Sequence, residues 1–151
     1  MSYTRLLYHI IFRTKHGVSS INEQYEKELY RYIWKFTQEH HCVLYRINGM
    51  PDHIHLFVGI HQTLSVAEFV RKLKITTHQF LDSHSDLFPD FTEWSVGYCA
   101  LSYGERDKQK IINYIKKQKE HHRSQNFIDE MKHLFLEEDL PFNDSYFEKH
   151  L

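Results

Sequence analysis

The chain has 151 residues, 41% of them hydrophobic and 26% charged, with a formal net charge of -1. That length suits one domain with a proper core, and no apolar run approaches the roughly 20 residues that a bilayer span requires. Cys42 and Cys99 lie far apart and outside any Cys-x-x-Cys spacing, which argues against a disulfide framework and a thiolate zinc site.

The start, "MSYTRLLYHIIFRTK", carries no basic leader, uninterrupted apolar stretch or small-residue cleavage site, so the expected location is the cytoplasm. "YTRLLYHIIFRT" is rich in tyrosine, leucine and isoleucine and predicts a first strand. "SSINEQ" then offers Ser20 or Asn22 as a helix cap. From Glu23 to His40, Tyr25, Leu29, Tyr32, Ile33 and Phe36 recur at helical spacing. "CVLYRINGM" reads as a second strand and "GMPD" as a tight turn into a third, "HIHLFVGI". Alternation along that strand sends Ile54, Leu56, Val58 and Ile60 one way and His53, His55 and Phe57 the other.

"TLSVAEFVRKLKITTHQFL" predicts a second helix capped by Thr63 or Ser65, and "EWSVGYCALSYG" a fourth strand. "ERDKQKIINYIKKQKEHHR", free of glycine and proline, predicts a third long helix, and the remainder one more short helix and an irregular tail. The order is that of the ferredoxin-like α+β fold, a four-stranded antiparallel sheet with two helices on one face, as in four-stranded RNA-binding domains. The histidines would then stand on a bare face.

Charge is segregated along the chain. Residues 71–74 and 106–123 are basic, and the tail from Asp129 onward is acidic. A basic stripe can hold phosphates in a chain that is neutral overall, and it can equally be a solvated helix face.

Two constellations could carry chemistry. With 13 histidines, about one His-x-His is expected by chance, so the pair His53 and His55 reads either as two metal ligands converging from one strand face or as an exposed polar pair. On the third helix Tyr114 and Gln118 are four residues apart and His121 follows a turn later, while Ile111, Ile112 and Ile115 fill the neighbouring arc. Tyr114 is there either a boundary residue or a group facing a substrate.

Taken together, the stretches "YHIIFRTKH", "MPDHIHLFV", "WSVGYCALSYG" and "YIKKQKEHH" give a sequence that resembles the single-tyrosine HUH transposases of the insertion-sequence 200/605 group over nearly its whole length. It departs from them at Asp52, where relatives often carry asparagine, and in "GYCALS", where the family has "GYGAFS". The resemblance implies one transposase domain over residues 1–151: a sheet-and-helix core (1–104), a tyrosine helix (105–123), and a C-terminal helix with an acidic tail (124–151). It implies an enzyme that cuts and rejoins single-stranded DNA at hairpin-bearing ends, with Tyr114 as nucleophile. His53, His55 and Gln118 would hold a divalent metal, Mg²⁺ or Mn²⁺, and the covalent intermediate would be a 5′-phosphotyrosine. It further implies a homodimer sharing sites between subunits; from the lack of a long apolar run, no membrane partner is expected. Arg71, Lys72, Lys74, Lys116 and Lys117 are the candidate DNA contacts. A host-domesticated relative that processes repeated palindromes would share this chemistry. A non-catalytic RNA-binding module would need an aromatic K/R-G-F-type strand motif, which is missing.

Overall fold

The computed structural model describes residues 2–151. The sheet comprises β1 (Leu7–Arg13), β2 (Val43–Met50), β3 (His53–Gly59) and β4 (Cys99–Tyr103), in the order β2-β3-β1-β4 with every pair antiparallel. Helices α1 (Glu26–Glu39) and α2 (Val66–Ser83) are the two crossovers, which completes the ferredoxin-like pattern. Four helices follow: α3 (Lys108–Lys116), α4 (Gln118–His121), α5 (Phe127–Glu137) and α6 (Asp144–His150).

Period-two alternation builds the main core. Ile10 and Phe12 of β1 and Ile54, Leu56 and Val58 of β3 point to the side where Leu29, Ile33 and Phe36 of α1 meet Phe69, Val70 and Leu73 of α2. The α2 cap is Ser65, whose hydroxyl accepts from the Glu68 amide. The fourth strand is shorter than the sequence suggests. Trp94 makes only an isolated bridge to Thr14, and the Lys74 ammonium collects the carbonyls of Ser95, Val96 and Gly97, so this segment is a loop.

Two further differences bear on function. The second sheet face is not bare: α3 packs on Leu7 and Phe57 through Ile111 and Ile115, and α5 packs on Ile11 and Cys99 through Phe127, Met131 and Leu134. The tail is therefore a second layer. The third long helix is also broken at Lys117, between α3 and α4. Asn48 of β2 donates its side-chain amide to the carbonyls of Ile115 and Lys116, both at 3.1 Å. Those oxygens would otherwise accept from residues 119 and 120 in an unbroken helix. No helix among the described residues is long and apolar enough to cross a membrane.

Candidate active site

His53 and His55 share the face of β3 that looks toward α3, α4 and α5, and both are fully buried. Each has its far nitrogen committed. His53 Nδ1 lies 2.7 Å from Asp52 Oδ1 in the turn before the strand, and His55 Nδ1 lies 2.8 Å from Nε2 of His9, a fully buried residue of β1. Both Nε2 atoms are thereby aimed at one point, as outer partners do for metal-ligating imidazoles. Gly49 of β2, in register with Ile54, leaves the space this requires, because a Cβ there would run into the His53 carbonyl.

The helical half of the site is held to the sheet. Besides the Asn48 contacts, the Lys119 ammonium donates to Glu26 Oε2 at 3.0 Å, to Asn48 Oδ1 at 3.1 Å and to the Gly49 carbonyl. Tyr114 and Gln118 come to the same side of this framework. Gln118 is fully buried, with Oε1 3.2 Å from His53 Nε2. The Tyr114 ring stacks on His121 and meets His9 and His55 edge-on.

Between them stands a carboxylate that the sequence reading left in the acidic tail. Glu130 of α5 is fully buried. Its Oε1 is 3.3 Å from both His53 Nε2 and His55 Nε2 and 2.8 Å from His122 Nε2. Its Oε2 accepts from the Tyr114 hydroxyl and the Gln118 amide, each at 2.6 Å.

The electrostatics follow from that crowding. Burial alone would raise the Glu130 carboxyl, but His55, His122 and His53 hold it far below the usual carboxylate range. Burial would lower His53, yet its hydrogen bonds to Asp52 and Glu130 prevail and push it up to about 9. His55 is lowered by burial, which outweighs the attraction of Glu130, and His9 is kept neutral by burial with His55 beside it. Thus His53 faces Glu130 as an imidazolium. The Tyr114 phenol is raised by burial and by the Glu130 charge, away from the phenolate a nucleophile needs.

A divalent cation fits this donor set. Nε2 of His53 and of His55 and a carboxylate oxygen of Glu130 lie within 4.8 Å of one another, and His53 Nε2 faces oxygen acceptors only, so either a proton or a cation must stand there. Mixed nitrogen and oxygen donors without thiolate suit Mg²⁺ or Mn²⁺.

Of the residues singled out in sequence, His53, His55, Tyr114 and Gln118 come together within one chain. Lys116 and Lys117 are exposed at the end of α3, beside the site. Arg71, Lys72 and Lys74 lie on α2, across the sheet. There Arg71 pairs with Glu68, and Lys74 is bound to three carbonyls. His9, His122 and Glu130 were not anticipated. Glu130 had one available signal: it interrupts the apolar stripe Phe127, Met131 and Leu134 of a helix, a position where a carboxylate needs partners.

Comparison with known proteins gives a family and a fold. A family model described as "Transposase IS200 like" matches residues 2–118. Comparison with curated proteins finds no match. Among solved structures, a Deinococcus radiodurans R1 protein described as a transposase superposes with a TM-score of 0.61 and 24% identity, covering 78% of this chain and 93% of that one. A REP-associated tyrosine transposase bound to a REP hairpin superposes with a TM-score of 0.59 and 13% identity, covering 81% of this chain and 72% of that one. At those identities the superpositions establish a shared fold.

Proposed function

The chain belongs to the IS200-like transposase family, and from that membership we propose that it cuts and rejoins single-stranded DNA with Tyr114 as the nucleophile. The observation that carries this reading is convergence: a phenol from α3 and two imidazoles from β3 meet about one buried point, with Gln118 between them.

The Tyr114 oxygen attacks the phosphorus as its proton passes to water, the bond to the 3′ oxygen breaks, and that oxygen takes a proton from water and leaves as a hydroxyl. The product is a 5′-phosphotyrosine, which keeps the phosphodiester energy, so the reverse attack by a 3′-hydroxyl rejoins strands without ATP. His53, His55 and Gln118 would hold the cation, Mg²⁺ or Mn²⁺, which when bound withdraws charge from the phosphate and orients it. Asp52 and His9 fix the imidazoles so that their Nε2 lone pairs face it.

The substrate we assign is a single strand bearing a hairpin. The similarity to a hairpin-bound REP-associated transposase supports this choice, and it also favours the domesticated relative that processes repeated palindromes. Lys116 and Lys117 are the DNA contacts best placed to reach phosphates at the site, with Arg71, Lys72 and Lys74 serving only a strand that wraps to the other face. A homodimer with shared sites belongs to the reading as well, although one chain already supplies every group named here.

The test is a detergent-resistant adduct between the protein and a hairpin-bearing oligonucleotide in Mn²⁺. Tyr114→Phe should abolish the adduct and retain DNA binding, and an undiminished adduct would remove Tyr114 from its role. A non-catalytic RNA binder would give no Mn²⁺ affinity dependent on His53 and His55.

A further inference from the structure

Glu130, one of the donors that could face a cation, is the group at the centre of the site to which the strand-cutting steps above assign no task. One of its oxygens faces the two metal-ligating nitrogens and the other faces the nucleophile. A phosphodiester poised for attack must lie between the same partners, with one non-bridging oxygen toward the cation and the phosphorus before the phenol. The Glu130 oxygens already take those contacts, 3.3 Å from both imidazole nitrogens and 2.6 Å from the phenol, so a phosphate seated there competes with Glu130 for the same partners.

We propose that the Glu130 carboxylate stands in for the scissile phosphate, that α5 must withdraw before DNA can bind, and that His122 then passes from the carboxylate to a non-bridging phosphate oxygen. The proposal rests on the nuclease reading above.

Three observations support it. The site is sealed: His53, His55, Gln118 and Glu130 are all fully buried, so no strand reaches them while α5 stays in place. The seal is separable, because α5 belongs to a small apolar cluster with Ile11 and Cys99, apart from the main core that α1 and α2 build on the opposite face. Finally, α5 helps to wall two clefts, one through Phe127 and Asp129 and the other through Leu134 and Glu137. One, of about 500 Å³, runs past Asp52, His122 and Ser124, and the other, of about 290 Å³, runs past Lys110, Tyr114 and Lys117. The second cleft passes the nucleophile and two lysines, so a strand admitted by the withdrawal of α5 would meet both.

The competing roles for Glu130 predict loss instead: a resident metal ligand predicts weaker Mn²⁺ binding when it is replaced, and an acceptor for the phenol's proton predicts slower adduct formation. The full chain and its Glu130→Ala and Glu130→Gln variants would be titrated with inorganic phosphate in the presence of Mn²⁺, by calorimetry. Adduct formation with the hairpin oligonucleotide would be timed in single turnover. Glu130→Ala should bind phosphate at least tenfold more tightly than the unaltered chain and form adduct at least tenfold faster, and His122→Ala in that background should reverse most of the gain in phosphate affinity. Glu130→Gln keeps the side-chain volume and should show a smaller gain of the same sign. Unchanged phosphate affinity, or loss of Mn²⁺ binding in folded Glu130→Gln, overturns the proposal. If phosphate responds as expected and no variant forms adduct, the phosphate site stands and the tyrosine chemistry falls.

Discussion

Proton and metal compete for His53, and Asp52 sets the terms. Asp52 and Glu130 push this imidazole up to about 9, so at pH 7 only about one molecule in a hundred presents a bare Nε2. Expelling the proton at pH 7 therefore costs about 3 kcal/mol, and Mn²⁺ should bind about a hundredfold more weakly there than at the high-pH limit. Because the metal-competent form is the neutral one, affinity must rise with pH, by about tenfold per unit between pH 7 and 8.5. Asp52→Asn removes the strongest hydrogen bond that keeps the proton in place. The variant should bind Mn²⁺ several-fold more tightly than the unaltered chain at pH 6.5, with a flatter slope. Toward pH 8.5 the advantage should vanish, since a carboxylate partner makes a neutral imidazole the better ligand. Free Mn²⁺ measured by electron paramagnetic resonance across this range reads the two curves directly. Parallel curves, or a variant weaker at every pH, would refute the reasoning.

The same imidazole makes metal-free stability pH-dependent. Its folded value lies above the ordinary 6.5, so its contribution is fully present below about pH 6.5 and is lost as pH rises through 9, on the order of 3 kcal/mol. The urea stability gap between the unaltered chain and His53→Gln should accordingly shrink from pH 6 to pH 9. His9→Ala should weaken Mn²⁺ binding by about ten- to a hundredfold by freeing the His55 ring, and His9→Gln, which restores a polar partner, should recover part of it; equal affinities in all three would remove His9 from the site. Gly49→Ala should cost about 1–3 kcal/mol in urea unfolding, because its new methyl meets backbone rather than a movable side chain, and a neutral result would contradict the packing described.

What could be read in the sequence was what repeats locally. Alternation through residues 53 to 60 separates Ile54, Leu56 and Val58 from the histidines, and the four-residue step from Tyr114 to Gln118 places both on one helix side. What escaped is non-local. Glu130 lies 75 residues from His55, and nothing near either residue announces the partnership. His9 looked like any polar residue of a first strand, and its role exists only because β1 lies beside β3 in the sheet. The break at Lys117 was hidden for the same reason, since Asn48, far back in the chain, draws two carbonyls out of the helix. The second layer was missed because the ferredoxin-like pattern leaves that face open, whereas Phe127, Met131 and Leu134 carry α5 onto it with Glu130 buried beside them.

Lys119 anchors the helix break at three places, one on α1 and two on β2. If α5 withdraws as proposed, this mooring makes a chassis of the helix break and the sheet, in which the glutamine and the imidazole pair keep their spacing, and leaves α5 as a shutter on the outside. On that reading, substitutions in the seat of α5 would tune access to the site while the residues that line it stay unaltered.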